Sequence, residues 1–402
     1  MGSQATTPLR EALAEALPER PFTIALWDGS ALEPTNGHGG PTFRVRSPTA
    51  FGHVLRAPGQ LGLGRAYVSG EIEVDDMDAA LDLLDGYQVP PLDTRGKLRL
   101  AAAAVRAGAL GSIPRPPRAE LRPRGRRHSR ERDQRAVAYH YDVSNEFFRL
   151  FLGESMTYSC AIFSRGAQTL EAAQRTKLEL VCTKLGLQPD EHVLDVGCGW
   201  GSFALHAARE HGVRVTGITL SREQAELARG RVSAAGLSDR VEIRLADYRD
   251  LAGEQYDAIS SIGMVEHVGS ANVDAYTALL ASVLRPGGRL LNHGIARLRV
   301  GDPEAGPFSE RFVFPDAAPL HISRILAAVE RAGLEPTHVE GFRSDYARTL
   351  QEWTRNIEDN EERALELIGA ERMRIWRLYL RAARRGFDTG FTSIFQVVCH
   401  RP

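Results

Sequence analysis

The sequence predicts an α/β protein with a mostly parallel sheet and helices on both faces, joined to a small N-terminal α+β domain. Beyond residue 192, short apolar runs alternate with helical segments, and alternating strands and helices form parallel sheets. The run over 193–196 leads into Gly197, Gly199 and Gly201, which break it into a tight turn before a helix. Residues 1–110 instead mix short helices with two alternating strands.

The composition limits the class of protein. With 402 residues the chain is long enough for more than one domain, and its net charge of −1 gives no electrostatic case for a nucleic-acid partner. The four cysteines lie far apart without a CxxC pair, which argues against a bound metal or disulfides. The start lacks a signal-peptide pattern, and no apolar run reaches about 18 residues. We therefore expect a soluble, cytoplasmic protein.

Residues 1–110 form the predicted accessory domain. Helices are expected over 9–17, 47–55 and 77–84, strands within 21–30 and 41–47, and a glycine-rich connection over 59–74. Because no catalytic constellation stands out, the domain is expected to serve folding, oligomerisation, lid closure or lipid docking.

Residues 111–136 form a predicted linker that is rich in proline and arginine. Its prolines are Pro114, Pro116, Pro117 and Pro123, and its arginines are Arg115, Arg118, Arg122, Arg124, Arg126, Arg127, Arg130, Arg132 and Arg135. It is either a solvated linker or a strap on anionic phospholipid, where each basic residue adds on the order of 1 kcal/mol. Nucleic acid fits less well, because no aromatic residues are interleaved. The basic amphipathic helix expected over 372–385 either binds a lipid surface or packs on the protein.

The remaining chain supplies the sheet. Ser144 is expected to cap a helix rich in phenylalanine, and another helix covers 170–185. Strands are expected over 193–196, 213–218, 241–245, 256–262, 289–293, 335–342 and 392–400. Helices are expected over 202–209, 222–234, 273–284 and 345–386. Ligands of such sheets bind at the carboxyl ends of the strands.

The glycine turn is the strongest local sign of a ligand site. Glycines let the backbone approach a ligand closely, and the next helix begins with unpaired N–H groups. A dinucleotide site uses the same device. Asp195 before the glycines, with Cys198 and Trp200 between them, resembles motif I of the class I S-adenosylmethionine (SAM) methyltransferases. In those enzymes the aspartate and glycines line the methionine end of the cofactor.

The order of motifs resembles one family of these enzymes. HYDVSNEFF, TYSCAIF, LDVGCGWG, GITLSREQ, ADYRD, SIGMVEHVG and IFQVV occur in the order found in cyclopropane-fatty-acyl-phospholipid synthases, and mycolic acid cyclopropane synthases share most of them. The similarity covers residues 137–402, which it identifies as a Rossmann-like catalytic domain. Residues 1–110 resemble the extra N-terminal domain of the phospholipid-acting branch.

The resemblance implies the cofactor site. Its residues would be Tyr158, Ser159, Asp195, Gly197, Gly199, Gly201, Thr219, Ser221, Gln224, Asp247 and Tyr248. Gln224 matches the glutamine that binds the ribose, although Ser221-x-x-Gln224 is also a capping box that would simply start a helix. Asp247 and Tyr248 match positions that border the adenine, and the pair at 158 and 159 matches residues that close over the cofactor.

The resemblance also implies the reaction, which is methyl transfer from SAM to the double bond of an unsaturated acyl chain in a membrane phospholipid. An alkene is a poor nucleophile, so the methyl must be held in line and kept from water. The resulting carbocation must lose a proton, and in this family the base is thought to be a bound bicarbonate ion. The residues that match its site are Cys160, Glu266, His293, Ile295 and Tyr346. Taken singly, such residues are more often structural, but together, at the expected ends of separate strands, they favour a site. His267 is expected only to shape the turn.

Two departures from the family pattern leave the product open. Asp316 follows Phe314-Pro315 where many relatives have glycine or asparagine, and Asn292 precedes His293 where leucine is usual. A cyclopropane is the expected product, and a methylene-branched (10-methylene type) chain is the alternative. A more distant alternative is a non-catalytic SAM- or lipid-binding protein. The expected partners are the phospholipid substrate and an anionic membrane surface, at the inner face of the cell membrane, and a second copy in a homodimer.

Overall fold

The computed structural model describes residues 3–37, 39–88, 90–109, 114–122, 124–141, 143–251, 253–302 and 306–402. Pro123, Asp142 of the HYDVSNEFF motif, and the expected domain boundary at 110/111 lie outside these residues. The chain forms two compact units. The first consists of residues 1–120 and 369–382, and the second of residues 121–368 and 383–402.

The first unit is an α+β fold. Its elements are α1 (Ser3–Ala16), β1 (Thr23–Ala25), β2 (Ala31–Leu32), β3 (Thr42–Val45), α2 (Thr49–Arg56), α3 (Gln60–Val68), β4 (Ile72–Val74), α4 (Met77–Gly86) and α5 (Thr94–Arg106). The sheet order is β2-β1-β3-β4. Helix α3 lies in the stretch that the sequence analysis takes for a glycine-rich connection. The glycines serve close packing there, because a Cβ at Gly62 would lie 2.2 Å from the carbonyl oxygen of Ala57.

The basic amphipathic segment contributes to this first unit. Helix α16 spans Glu361–Asp388 and is broken at Gly369, whose φ is +72°. Beyond the break, an apolar face is buried, comprising Met373, Ile375, Trp376 and Leu380. Arg381 lies 3.3 Å from Asp78, so at least part of the basic face is paired within the unit. The helix therefore packs on the protein, and its apolar face is not available to a lipid surface.

The second unit carries the rest of the chain. Its elements up to the middle of the sheet are α6 (Arg130–Tyr141), α7 (Asn145–Leu152), α8 (Leu170–Leu185), β5 (His192–Val196), α9 (Ser202–His211), β6 (Arg214–Thr219), α10 (Arg222–Ala234), β7 (Val241–Leu245) and β8 (Tyr256–Ile262). The others are α11 (Val265–Val268), α12 (Val273–Val283), β9 (Leu284–Ala296), α13 (Pro307–Phe312), α14 (Ile322–Arg331), β10 (Glu335–Gly341), α15 (Arg343–Asp359) and β11 (Ser393–His400).

The seven strands of this unit form one mostly parallel sheet, which confirms the predicted fold class. The order is β10-β11-β9-β8-β5-β6-β7, and only β11 runs antiparallel to its neighbours. Apolar side chains of α8, α9 and α10 cover one face, and those of α12 and α14 cover the other. Because β5, β6 and β8 are parallel, the turns that follow them meet at one edge of the sheet.

Two elements differ from the sequence expectation. The predicted linker ends in helix α6, whose Arg130 and Arg132 pair with Asp250 and Asp316. The helical stretch expected over 345–386 is interrupted twice, at Asn360 between α15 and α16 and at Gly369 within α16. In the part of the chain that the structure describes, no helix is both long and apolar enough to cross a bilayer.

Candidate active site

The glycine turn after β5 presents bare backbone to an open space. Gly197, Gly199 and Gly201 have φ values of +77°, +54° and +79°, a region that other residues enter only with strain. The N–H groups of Gly197 and Cys198 donate to the carbonyl oxygen of Ile218, which fixes the turn against β6. Among the described residues, a Cβ added at Gly199 would meet only the side-chain nitrogen of Gln224, at 4.0 Å. A ligand can therefore lie directly on this backbone.

The turn forms one wall of a cavity of about 140 Å³ that is partly open to solvent. Most of the predicted cofactor residues line it: Tyr158, Ser159, Asp195, Gly197, Gly199, Thr219, Gln224 and Tyr248. The other predicted cofactor residues support its walls. Gly201 begins α9, Ser221 caps α10, and Asp247 pairs with Arg249. The structure thus brings the whole predicted set to one place.

Asp195, the residue before the last in strand β5, has a carboxyl group that is prepared for a cationic ligand. The residue is 2% exposed, and its Oδ2 has no hydrogen-bond partner among the described residues. Burial raises the pKa of this carboxyl to about 7, against the opposing attraction of Lys177. A buried acceptor without a partner is costly unless a ligand satisfies it. The ammonium group at the methionine end of SAM fits this position.

Gln224 directs its amide toward the cavity rather than toward its own helix terminus. Ser221 caps α10 by accepting from the Gln224 backbone N–H at 3.1 Å, as the capping box predicts. The reciprocal bond differs, because Thr219 Oγ1 donates to Gln224 Oε1 at 2.7 Å and accepts from the Ser221 N–H at 3.2 Å. The amide NH₂ is the part of Gln224 that lies nearest Gly199. This geometry suits donation to a ribose hydroxyl.

Asp247 is held in place by an arginine that the sequence analysis does not single out. Arg249 binds both carboxylate oxygens, with Nε 2.8 Å from Oδ1 and Nη2 2.5 Å from Oδ2. Burial acts to raise the pKa of Asp247, but the bonds from Arg249 outweigh it and lower the pKa below its usual value. Arg249 Nη2 also lies 3.0 Å from Asp133 of helix α6. Tyr248 packs edge-on against Tyr276, with ring centroids 4.9 Å apart.

The segment with Tyr158 and Ser159 is tied to helix α8. Gln174 Nε2 donates to the carbonyl oxygens of Thr157 and Ser159, at 3.1 and 2.9 Å. Lys177 Nζ donates to Ser159 Oγ at 3.0 Å. Lys177 also lines the cavity and is 1% exposed. The sequence gives no sign of this role, since a lysine in a helix is ordinarily solvated.

Glu266 and Ile295 of the predicted bicarbonate site are in direct contact. Glu266 Oε1 accepts from the Ile295 N–H at 2.6 Å. The other oxygen, Oε2, is buried with no hydrogen-bond partner among the described residues. Burial raises the pKa of Glu266 to about 7, although the bond from Ile295 opposes this shift. One carboxyl oxygen is thus fixed, and the other remains for a ligand.

His293 is held in one tautomer by two residues that the sequence analysis does not name. Lys184 Nζ can only donate, and it lies 2.7 Å from Gln396 Oε1. Gln396 Nε2 therefore faces His293 Nδ1, at 2.9 Å, and donates to it. The proton of the ring then resides on Nε2, which is buried without a partner among the described residues. Burial, with Lys177 and Lys184 nearby, lowers the pKa of His293, so the ring is a neutral donor.

Phe342 joins the remaining members of the predicted bicarbonate site. Its carbonyl oxygen accepts from the Tyr346 N–H at 3.0 Å and lies 3.8 Å from Cys160 Sγ. Its ring stacks on His293 with centroids 6.2 Å apart. Burial raises the pKa of Cys160 well above its usual value, so the thiol is neutral. Cys160, His293 and Tyr346 therefore all contact Phe342, whereas Glu266 and Ile295 contact each other.

Some residues of the predicted bicarbonate site are immediate chain neighbours of residues that line the cofactor cavity. Ser159 lines the cavity beside Cys160, and Met264 and His267 line it on either side of Glu266. None of the five predicted bicarbonate residues is among the described cavity-lining residues. His267 does more than shape a turn, because it forms part of the cavity wall. Desolvation and nearby His128 lower the pKa of His267 to about 4, so it is neutral.

The two departures from the family pattern have structural consequences. Asp316 has a φ of +64°, which explains why glycine or asparagine suits the position. Its carboxylate binds Arg132 at 2.6 Å and Arg127 at 3.1 Å. Two arginines of the predicted linker are thus engaged by protein. Asn292 is 6% exposed and pairs in register with Val397 of β11.

A separate cluster has the donor atoms of a metal site. The ligand atoms of Cys182, His206 and His211 lie within 4.8 Å of one another. Glu179 Oε2 already accepts from Nε2 of both histidines, at 3.1 Å each. Burial raises the pKa of Cys182, so its sulfur is a protonated thiol. Both histidines are therefore already hydrogen-bonded within the protein. The absence of a bound metal stays a prediction.

Comparisons with known proteins agree with the fold and the motifs. The model of the family "mycolic acid cyclopropane synthetase" matches residues 128–397. The chain is 40% identical over 395 residues to a probable fatty acid methyltransferase of Mycobacterium tuberculosis, covering 94% of this chain and 91% of that protein. It is 33% identical over 371 residues to the cyclopropane-fatty-acyl-phospholipid synthase of Escherichia coli, covering 91% of this chain and 89% of that protein.

A solved structure gives the same result. A mycolic acid cyclopropane synthase in complex with SAH and CTAB matches with a TM-score of 0.63 and 33% identity, over 66% of this chain and 98% of that one. These findings confirm the resemblance found in the sequence. The chain belongs to the mycolic acid cyclopropane synthetase family, whose fold is that of the class I SAM-dependent methyltransferases.

Proposed function

We propose that the protein transfers a methyl group from SAM to the double bond of an unsaturated acyl chain in a membrane phospholipid, giving a cyclopropane. The observation that carries this proposal is the proximity of two unlike sites. One is an open cavity on the glycine turn that follows Asp195 and Val196. The other holds a buried acceptor on Glu266 and a buried N–H donor on His293. Binding of SAM alone would not need the second site.

The cavity residues would hold SAM by complementary polar groups. When bound, SAM supplies an electrophilic methyl group. Asp195 would accept from its ammonium group, Gln224 would donate to the ribose, and Tyr248 would border the adenine beside Asp247. Tyr158 lines the cavity, and its ring packs against Trp353 with centroids 5.1 Å apart, so the tyrosine ring would help to exclude water from the transferred methyl.

The second site fits a bicarbonate ion. Adding a methyl group to an alkene and closing the ring releases one proton, so a base must stand at the acyl chain. A bicarbonate ion both donates and accepts hydrogen bonds, and it would supply that base. Glu266 Oε2 would accept from its hydroxyl group, while His293 Nε2 and the Tyr346 hydroxyl would donate to its oxygens. Cys160 and Ile295 complete the walls.

The alternative product, a methylene-branched chain, is kept because of Asn292 and Asp316. Asn292 is the strand neighbour of His293, and Asp316 lies in the loop whose Ala318 N–H donates to the carbonyl oxygen of Glu266 at 2.7 Å. Changes at these points move the walls around the proposed base. The same methyl transfer would then be followed by a hydride shift to the neighbouring cationic carbon and by loss of a proton from the new methyl group, which gives the methylene branch. Action at the inner membrane surface and assembly into a homodimer remain predictions.

The test is a product assay on defined vesicles. The protein is incubated with SAM and dioleoyl phosphatidylglycerol vesicles, with dipalmitoyl phosphatidylglycerol as the saturated control. We expect each modified oleoyl chain to gain one CH₂ unit by mass spectrometry, with proton NMR showing a cyclopropane ring. Unchanged oleoyl chains, in protein that binds SAM, would contradict the proposal and favour the non-catalytic alternative. A signal from a C=CH₂ group on the acyl chain would identify the branched product.

A further inference from the structure

We propose that Lys177 binds the α-carboxylate at the methionine end of SAM, opposite Asp195, which binds the α-amino group. The inference rests on the proposed function and adds a residue to it. Lys177 lies in the middle of helix α8 and reaches the cavity from behind the segment that carries Ser159. The two residues together would form a subsite for the zwitterion of an α-amino acid.

The surroundings of Lys177 lack a partner for its charge. The residue is 1% exposed, and Nζ donates to the neutral hydroxyl of Ser159 at 3.0 Å. In the described part of the chain, no carboxylate lies within ion-pair distance of Nζ. Lysine is almost never fully buried unless it is paired, so an anionic ligand is expected.

The charges on the cavity wall indicate which ligand this is. Among the described lining residues, Lys177 and Arg249 are the lysine and arginine. Arg249 is engaged by Asp247 and Asp133, whereas Lys177 has no carboxylate partner. Asp195 offers its unsatisfied Oδ2 to the same space. One anionic and one cationic group facing a ligand match the two charges of the methionine end.

A bicarbonate ion offers the same carboxylate-like chemistry and is the other source of the anion. Lys177 acts electrostatically on Cys160 and on His293, which belong to the proposed bicarbonate site. However, Lys177 lines the cavity with the cofactor residues, and the described lining residues do not include that site. The geometry therefore favours the carboxylate of the cofactor.

The titratable groups that face Lys177 give the subsite a distinctive pH dependence. They are Asp195 on β5, Cys160 on the preceding segment, Cys182 on α8 and His293 on β9. Burial keeps both thiols protonated and His293 neutral. Burial also lowers the pKa of Lys177 to about 8 and raises that of Asp195 to about 7. Affinity for the zwitterion should therefore fall below about pH 7 and above about pH 8.

The experiment compares two probes by calorimetry on the full chain. S-adenosylhomocysteine has the α-amino acid group, and 5′-methylthioadenosine lacks it. In Lys177→Met we expect affinity for S-adenosylhomocysteine to fall about 10- to 100-fold, with affinity for methylthioadenosine unchanged. The alkaline loss of affinity should disappear in this variant. Lys177→Arg should restore part of the affinity, and Arg175→Met, at an exposed position of the same helix, should leave S-adenosylhomocysteine binding intact.

Each other outcome would refute either the role of Lys177, the identity of its ligand, or the proposed function. Equal binding of S-adenosylhomocysteine by wild type and Lys177→Met would refute the role of Lys177 and leave the proposed function standing. Equal losses for both probes would show that Lys177 is only structural. If S-adenosylhomocysteine binding is unchanged but more bicarbonate is needed for half-maximal turnover, the anion is bicarbonate. Failure of the wild type to bind either probe would refute the proposed function itself.

Discussion

Glu266 and His293 carry the chemical argument at the scale of single residues. Each has one polar atom fixed by the protein and one buried atom without a partner among the described residues. Leaving such atoms unsatisfied costs about 1–3 kcal/mol each, which a purely structural cluster would avoid. The arrangement is better explained as a binding site for a small polar ion.

We predict that Glu266→Gln lowers kcat by about 100- to 10,000-fold. The amide can still accept from Ile295, but it places an NH₂ donor where the proposed ion needs an acceptor. Binding of S-adenosylhomocysteine should stay within about twofold of wild type, measured by calorimetry. The exposed Glu226, changed to Gln, is the matched control on helix α10. Near-normal turnover of Glu266→Gln in bicarbonate-free buffer would mean that the cluster is structural.

The sequence predicts some of the residues of the candidate site but not others. Asp195 and Glu266 lie in motifs whose order resembles a family, and His293 matches a site residue of that family, so all three could be named in advance. Lys177 lies in none of those motifs, and Gln396 lies in the IFQVV motif, where the sequence gives no sign of its contact with His293. Only the folded chain shows that Lys177 is buried and that Gln396 orients His293.

At the scale of elements, the turn between β5 and α9 decides whether a cofactor can bind. We predict that Gly199→Val abolishes measurable SAM binding, because the new side chain would project into the cavity beside Gln224. The left-handed backbone at Gly199 adds strain of about 1–2 kcal/mol. Calorimetry on folded protein measures the loss of affinity, and the melting temperature is recorded for the wild type and for Gly199→Val.

Gly186 provides a matched control for that strain. Its φ of +57° equals that of Gly199 within a few degrees, and a Cβ there meets nothing within 4 Å. Gly186→Val should therefore lose similar stability while keeping its affinity for SAM. If both variants bind SAM alike, the turn does not contact the cofactor.

The arginine-rich segment has a divided role. Arg127, Arg130 and Arg132 are held by carboxylates, so only part of the segment is free to meet a lipid surface. Arg122, Arg124 and Arg126 are exposed. The sequence indicates the charge of this segment but not its partners, because Asp316 and Asp250 are far away along the chain.

We predict that changing Arg122, Arg124 and Arg126 together to Gln weakens binding to phosphatidylglycerol vesicles. Near an anionic surface each lost charge removes on the order of 1 kcal/mol, and salt should reduce the difference. Co-sedimentation measures it. The control removes the same charge elsewhere, at the exposed Arg209, Arg214 and Arg222. Equal binding by wild type and both triple variants would rule out the segment as a lipid contact.

At the scale of the whole molecule, residues 369–382, near the end of the sequence, belong to the same compact unit as its beginning. This segment belongs to the unit formed by residues 1–120, although it lies within the catalytic domain expected over 137–402. The sequence does not reveal this, because the helical pattern continues through Gly369. A catalytic fragment therefore carries one element of the other unit's core.

We predict that a fragment of residues 121–402 aggregates, because it exposes Met373, Ile375, Trp376 and Leu380. Size-exclusion chromatography and binding of a hydrophobic dye would show this. The same fragment with Trp376→Gln and Leu380→Gln should be markedly more soluble. A monodisperse wild-type fragment with low dye binding would show that this apolar face needs no cover.

The most direct test of the central claim follows the carbon from cofactor to lipid. The protein is given SAM with a trideuterated methyl group and dioleoyl phosphatidylglycerol vesicles, and Gly199→Val serves as the inactive control. The account predicts oleoyl chains that gain one carbon and two deuterium atoms in a cyclopropane ring, because one deuteron leaves to the base. Lipid without deuterium, from protein that binds the labelled SAM, would contradict it.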